Sequence, residues 1–350
     1  MSKSVKKTAN VHAMEAIQGA LAIQRISSSY WDSCVLFAAN KIGLFTLVDR
    51  STLTAIQIAE LYKADPAAME RFLNACVALK LMWKRGNKYG NSSLARRFLV
   101  KGKEWYQGHI VAHWADMLVA GHWQRLDEAA LTGNPVTLSE HRSHDLNYAY
   151  GFGDGLYNWI FGMHEWAQAG HAQLLAHTVD LRNRRHLLDV GGGSGAYSVA
   201  FCRKNINLRA TILDLPEVAK IAEAIIKNNA LNSRISVQAG DLMSSPWGSP
   251  DAILLSNVLH MGDTDFCGSI LDRAYCSLAD KGILIVHEWL LNSDKTMPVL
   301  SSLFSLHMLA RPGGETYSLG EMVERLKAAG FINVRRIRLP GLWSVVVGEK

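Results

Sequence analysis

The stretch "LLDVGGGSGAYS", residues 187–198, sets four glycines within five positions, between an apolar run and a helix-like pattern. Glycine takes positive-φ turns and brings bare backbone against a ligand too close for side chains, and a helix N-terminus behind the turn favours polar or anionic groups. Two carboxylates stand where such a ligand is in reach: Asp214 lies near the end of "RATILDL", nineteen residues past Gly195, and Asp241 lies in "AGDLM". A carboxylate at the first position accepts from both hydroxyls of a ribose. Further along, His260 closes "DAILLSNVLH" and Glu288 lies in "GILIVHEWLL". Histidine is the side chain best matched to taking a proton near neutral pH, and a neighbouring carboxylate fixes its tautomer and stabilises the imidazolium.

Positioning these groups requires alternating strands and helices, and from residue 181 onward the pattern supplies them. "HLLDV" reads as a strand, 197–204 as a helix, "RATILDL" as a strand, 216–230 as a helix, and "ISVQAGD" and "DAILLSNVL" as strands. A helix over 265–279, the strand "GILIVHEWLL" and the helix "SLGEMVERLKAAG" follow, the last with Ser318 and Glu321 as a capping box and Gly330 as its stop. "FINVRRIRL" and "LWSVVVGE", divided only by a Pro340-Gly341 turn, form an antiparallel pair at one edge. The expected fold is α/β, a Rossmann-like, mostly parallel sheet with an antiparallel C-terminal edge strand. Every group named above then falls at a carboxyl end of the sheet, where open α/β folds hold ligands.

Residues 1–102 read as a separate winged-helix-like module, three helices and the hairpin "MWKRGNKYGNSS", a shape used for DNA binding and for dimerisation. Residues 103–180 read as helical and hold eight of the thirteen histidines and five of the ten tryptophans, with Tyr148, Tyr150, Phe152, Tyr157 and Phe161 added. Together they suit the wall of a pocket for a flat apolar ligand. Residues 131–145 read as a loop. His109 and His113 share a helix face, but no third ligand stands at a diagnostic distance. Residues 181–350 make the third region.

With 350 residues and 49% apolar content the chain reads as a soluble globular protein of about two domains. The net charge of +6 is scattered, and the helix "DPAAMERFLNACVALK" offers only Glu70, Arg71 and Asn74 as polar residues in its middle, so a nucleic-acid partner is not expected. The five cysteines show no metal-ligand spacing and read as buried free thiols in a reducing, cytoplasmic compartment. Neither a secretory leader nor a membrane span is expected.

Dinucleotides and S-adenosylmethionine both exploit a strand, glycine turn and helix, and Gly191, Gly193 and Ala196 satisfy the dinucleotide pattern as well. The second carboxylate, Asp241, followed by Leu242 and Met243, can bond an adenine edge and sandwich its ring, which favours S-adenosylmethionine. "LLDVGGGSG", "ILDLPEV", "AGDLM", "LLSNVLH" and "MLARPGGETYS", in this order behind a winged-helix region, resemble the small-molecule O-methyltransferases of the caffeic acid and hydroxyindole type. The resemblance covers essentially the whole chain and is strongest after residue 180.

That resemblance implies a homodimer using S-adenosylmethionine, held by Gly191, Asp214, Asp241 and Leu242, with Asp189, Gly193 and Leu215 in the same motifs. Ser256 falls where the plant enzymes often carry a lysine contact. His260 takes the place of the catalytic base and Glu288 that of the acid orienting it. Trp114, Met117, Trp159, Phe161, Met163, His307 and Met308 are the expected pocket walls for an aromatic or polyketide-like acceptor. Two departures stand out. Met261 and Gly262 replace an aspartate and tryptophan after the base, and a second hinge acid aligns with Thr316, next to Glu315. Some relatives bind a metal between histidines near His260 and His307 and the aspartate replaced here by Met261, so no metal is expected. Methylation of carbon or nitrogen, use of the cofactor without methyl transfer, and a DNA-binding regulator are the competing readings.

Overall fold

The computed structural model describes residues 3–136, 155–311, 314–341 and 343–350, and the chain divides into two compact units, Met1–Ala115 and Asp116–Lys350. In the first, α1 (Lys3–Ser27), α2 (Tyr30–Lys41) and α3 (Leu44–Leu47) precede the short strand β1 (Leu53–Thr54). Thr54 then starts α4 (Ala55–Tyr62) with a capping box to Gln57, and Asp65 caps α5 (Pro66–Ala78) through the Ala68 N–H. These caps satisfy helix N–H groups that have no partner within the helix. The hairpin β2 (Met82–Arg85) and β3 (Lys88–Asn91) turns at Gly86, φ +60°, and with β1 forms a small sheet of order β1-β3-β2. Leu44, Phe45, Ile58, Leu73, Cys76 and Tyr89 fill the core beneath it, the expected helices-plus-hairpin module. One feature differs from the sequence reading: α1 is a single long helix, and its Met14, Ile17 and Leu21, at i, i+3 and i+7, are 56%, 52% and 62% exposed.

After α6 (Ser93–Phe98) and α7 (Gly108–Val119), the described part of residues 103–180 is helical: α8 (Leu126–Thr132), α9 (Gly155–Trp166) and α10 (Ala172–Thr178), with a π-turn over Ala167–His171. Tyr148, Tyr150, Phe152 and most of the expected 131–145 loop lie outside the described residues. The strands β4 (His186–Val190), β5 (Arg209–Asp214), β6 (Ile235–Ala239), β7 (Ala252–Ser256) and β8 (Ile283–Glu288) are parallel, and α11 (Ala196–Lys204), α12 (Pro216–Asn228) and α13 (Thr264–Ser277) alternate with them. α14 (Val299–Ala310), α15 (Leu319–Ala328), β9 (Ile332–Arg338) and β10 (Ser344–Glu349) complete the chain. The sheet order is β6-β5-β4-β7-β8-β10-β9, with β10 antiparallel to both neighbours and β6 and β9 at the two edges. Because helices cover both faces, the central strands are apolar almost throughout: Leu187, Ile212 and Ile285 face one core, and Leu188, Ile253 and Leu284 the other.

Three expectations are corrected. β7 ends at Ser256, four residues before His260, because Asn257 adopts φ +58°, a conformation asparagine tolerates better than most residues, and turns the chain into a 3-10 turn, Leu259–Met261. β8 likewise ends at Glu288, ahead of the apolar Trp289-Leu290-Leu291. Cys76, Cys202 and Cys267 are buried, but Cys34 and Cys276 are exposed. Cys276 lies about 200° around α13 from the buried Ala274, on its outer side.

Candidate active site

Gly191, Gly193 and Gly195 have φ of +63°, +55° and +74°. That left-handed run carries β4 into α11, and a side chain in this region costs about 1–2 kcal/mol per residue. The turn is held from two sides. The Gly191 N–H donates to the Leu213 carbonyl (2.8 Å), and the Gly193 N–H donates to Asp214 Oδ2 (2.7 Å), whose other oxygen accepts from the Leu215 N–H (2.8 Å). Burial raises the Asp214 pKa while these N–H groups pull it down. Each oxygen keeps a lone pair for a ligand. Beneath the turn, Asp189 is fully buried and accepts from Ser198 Oγ (2.7 Å), and burial pushes its pKa up to about 7. Its carboxyl therefore supports the turn from inside.

Gly191 also sets the distance between this turn and the next functional segment. A Cβ there would stand 2.9 Å from Val258 Cγ2, two residues before His260. The glycine turn and the histidine turn touch.

Asp241 is exposed, and its Oδ1 accepts from the N–H groups of Met243 (2.6 Å) and Ser244 (3.1 Å), a tight turn that fixes the carboxylate at the carboxyl end of β6. Leu242 is half-buried against the core, its carbonyl taken by Trp247 Nε1 (3.0 Å), and Met243 is 44% exposed. Ser256 differs in setting. Its Oγ lies 2.9 Å from His287 Nδ1 and accepts from Asn257 Nδ2 (3.2 Å). His287 is fully buried, and desolvation, with the nearby His171, lowers its pKa to about 3. The neutral ring and the Ser256 hydroxyl share one proton across this contact, so Ser256 is committed to an interior bond.

Glu288, 2% exposed, gathers the His260 turn around one carboxylate. Its Oε1 accepts from the Leu259 N–H (2.8 Å), and its Oε2 lies 2.7 Å from His260 Nδ1. Both residues' side chains are largely covered, 13% and 3% exposed for His260 and Glu288. With an ionised partner, Nδ1 carries the proton, so Nε2 is the nitrogen with a lone pair. The imidazole edge meets the Phe304 ring at 5.0 Å, and the backbone carbonyl of His260 accepts from the Glu315 N–H (3.1 Å). Glu315 itself accepts from Thr264 Oγ1 (2.8 Å), and Thr316 is buried, so Glu288 is the acid on this histidine.

The expected pocket residues do not all share one wall. On α9, Trp159, Met163 and Trp166 follow i, i+4, i+7, and Tyr157, Phe161 and His164 form a second stripe about 200° away. Trp166 packs on Trp289 (5.5 Å between ring centroids) and Trp343 (4.9 Å). Phe161 instead lies on Tyr157 (4.2 Å) and edges His164 (6.4 Å). Trp159 and Met163 therefore share one stripe of α9, and Phe161 lies on the other. His307, 3% exposed, stacks on Trp123 (6.1 Å) and tilts against Phe304 (5.9 Å), placing a phenyl ring between it and His260. Met308 is buried below, its Sδ 2.8 Å from where a Gly314 Cβ would stand. Met117 is buried in the second unit, while Trp114 belongs to the first. Among the described residues, no group of three or more histidine, cysteine or acidic side chains forms a metal site. Sequence reasoning missed Phe304, Trp123, Trp289, Ser194 and His164; the i, i+4, i+7 spacing on α9 was the one available signal.

A family model of the O-methyltransferase domain matches residues 144–332, and one of the O-methyltransferase dimerisation domain matches residues 24–101. The chain is 32% identical to 3-hydroxy-5-methyl-1-naphthoate 3-O-methyltransferase of Streptomyces sahachiroi, over 93% of this chain and 94% of that protein. Acetylserotonin O-methyltransferase of Bos taurus is 30% identical over 95% and 98% of the two chains. The crystal structure of human N-acetylserotonin methyltransferase in complex with S-adenosylmethionine superposes with a TM-score of 0.87 at 24% identity, covering 95% and 98%, a likeness of fold.

Proposed function

The chain belongs to the O-methyltransferase family, and from that premise we propose that it methylates a hydroxyl of an aromatic or polyketide-like small molecule, with His260 as the base. Its cofactor is S-adenosylmethionine, and the residues present fit it. Positive-φ glycines leave the backbone of 191–195 bare, Asp214 keeps lone pairs for ribose hydroxyls, and Asp241 with Leu242 and Met243 offers a carboxylate and apolar surface for the adenine. When bound, that group supplies an electrophilic methyl on a sulfonium. Gly191, Gly193, Asp214, Leu215, Asp241 and Leu242 hold it in this reading, with Asp189 and Ser256 bracing the strands beneath.

The observation that carries the reading is the His260–Glu288 pair. The acceptor hydroxyl gives its proton to Nε2 and Glu288 stabilises the imidazolium left behind, while the oxygen would take the methyl group as its bond to sulfur breaks and S-adenosylhomocysteine leaves. A phenol ordinarily has a pKa of about 10, so removal of its proton near neutral pH requires such a partner. Holding the oxygen in line with the methyl group supplies most of the remaining acceleration. Phe304 lies against the base and His307 against Phe304, and in this reading Met308, Trp159, Met163, Met117 and Phe161 add apolar wall to the acceptor pocket of the same unit. The naphthoate and acetylserotonin enzymes are named for flat aromatic acceptors, which fits such walls.

The dimerisation-domain match and the exposed stripe Met14, Ile17 and Leu21 support a homodimer. No described helix is long and apolar enough to cross a membrane, and the five cysteines are unpaired, in keeping with a reducing cytoplasmic setting. Incubation with S-adenosylmethionine and a panel of hydroxylated naphthoates and indoles, read by mass spectrometry, tests the reaction. A gain of one methyl on oxygen supports it; methyl gain on carbon or nitrogen alone overturns it.

A further inference from the structure

The catalytic pair and the glycine turn leave one polar contact unexplained. His164 Nδ1 lies 2.9 Å from Ser194 Oγ. Ser194 is the single non-glycine within 191–195, and at 6% exposure its hydroxyl is the side-chain handle of that turn. His164 comes from α9, the helix whose other stripe ends on Trp289, the residue directly after Glu288. α9 thus touches the cofactor turn with one stripe and the neighbour of the catalytic acid with the other. Its start is tied down too, since Asn158 Nδ2 donates to Asp116 Oδ2 (3.2 Å).

We infer that His164 is a positioning residue, which latches α9 to the glycine turn through Ser194 so that cofactor binding sets the pocket wall carried by Trp159 and Met163. This rests on the cofactor reading given above. Burial lowers the His164 pKa, which keeps the ring neutral and able to act as donor or acceptor to a hydroxyl. A hydrogen bond to a hydroxyl fixes direction as well as distance.

Calorimetric titration of S-adenosylhomocysteine into the full-length wild-type protein and into His164→Phe, His164→Gln, Ser194→Ala and the double variant His164→Phe/Ser194→Ala tests it. Loss of one such bond weakens binding by a factor of about five to ten. His164→Phe and Ser194→Ala each show that loss, the double variant is no weaker than either single one, and His164→Gln, which can still bond the hydroxyl, recovers most of it. The KM for the acceptor rises alongside in His164→Phe. Should His164→Phe fail to fold, Ser194→Ala against His164→Gln carries the same comparison. Losses that multiply in the double variant, or variants that bind like wild type, overturn the inference. Wild-type protein that does not bind S-adenosylhomocysteine overturns the cofactor reading instead.

Discussion

Glu288 holds the His260 turn at two points: Oε2 lies 2.7 Å from the ring Nδ1 of His260, and Oε1 takes the N–H of Leu259 in the turn that carries the ring. One carboxylate therefore fixes the tautomer, the orientation and the backbone beneath the base. Glu288→Gln keeps the shape but sets an amide NH₂ against one of those N–H donors. It lowers kcat by a factor of about 10–100 while leaving S-adenosylhomocysteine affinity nearly unchanged, as steady-state kinetics beside calorimetry will show.

A Cβ on Gly191 would stand 2.9 Å from Val258 Cγ2, so the glycine turn and the His260 turn are not independent. Gly191→Ala meets both a positive φ and Val258 Cγ2 at 2.9 Å. Weaker S-adenosylhomocysteine binding together with reduced kcat is the expected outcome, at a stability cost of about 1–2 kcal/mol from the backbone strain alone. Chemical denaturation and calorimetry on one preparation separate the two effects.

Asp214 is bonded by the turn's own N–H groups, so Asp214→Ala removes a ligand contact and a brace together. S-adenosylhomocysteine affinity falls by about tenfold or more, and kcat at saturating cofactor changes less than KM. Asp241→Ala, whose carboxylate lies in an exposed turn, weakens the cofactor without lowering the thermal midpoint.

Two buried groups shape stability against pH in opposite directions. His287 has a folded pKa of about 3, below the ordinary 6.5, so in between the unfolded chain holds the extra proton and stability is lost as pH falls. Asp189 has a folded pKa of about 7, above the ordinary 3.8, so in that window the folded chain holds the extra proton and stability is lost as pH rises. His287→Gln therefore flattens the acid limb of a urea-midpoint profile. Asp189→Asn gains on the parent protein as pH rises from about 4 to about 7.

The order of elements after residue 181 was legible because apolar strands, glycine stops and the Ser318–Glu321 capping box are local signals. So were Asp214, Asp241, His260 and Glu288, which the strand pattern brings to one edge of the sheet. The end of β7 was not. "LLSNVLH" is apolar enough to continue a strand, and only the backbone of Asn257, whose Oδ1 accepts from Trp343 Nε1 at 3.0 Å, breaks it. Trp343 lies 86 residues away in the chain, beyond any window of sequence periodicity. The split of α9 into two stripes was present in the sequence as spacing, but which stripe meets the glycine turn depends on Ser194, a contact 30 residues distant. Ser256 shows the same limit, since its partner His287 comes from the neighbouring strand.

The most direct measurement is the single-turnover rate of methyl transfer to a hydroxynaphthoate acceptor at saturating S-adenosylmethionine, wild type against His260→Ala, with S-adenosylhomocysteine affinity measured on both. The account predicts a loss of about 10²–10⁴ in rate with cofactor affinity unchanged. An unchanged rate in His260→Ala would contradict it and remove the histidine from the chemistry.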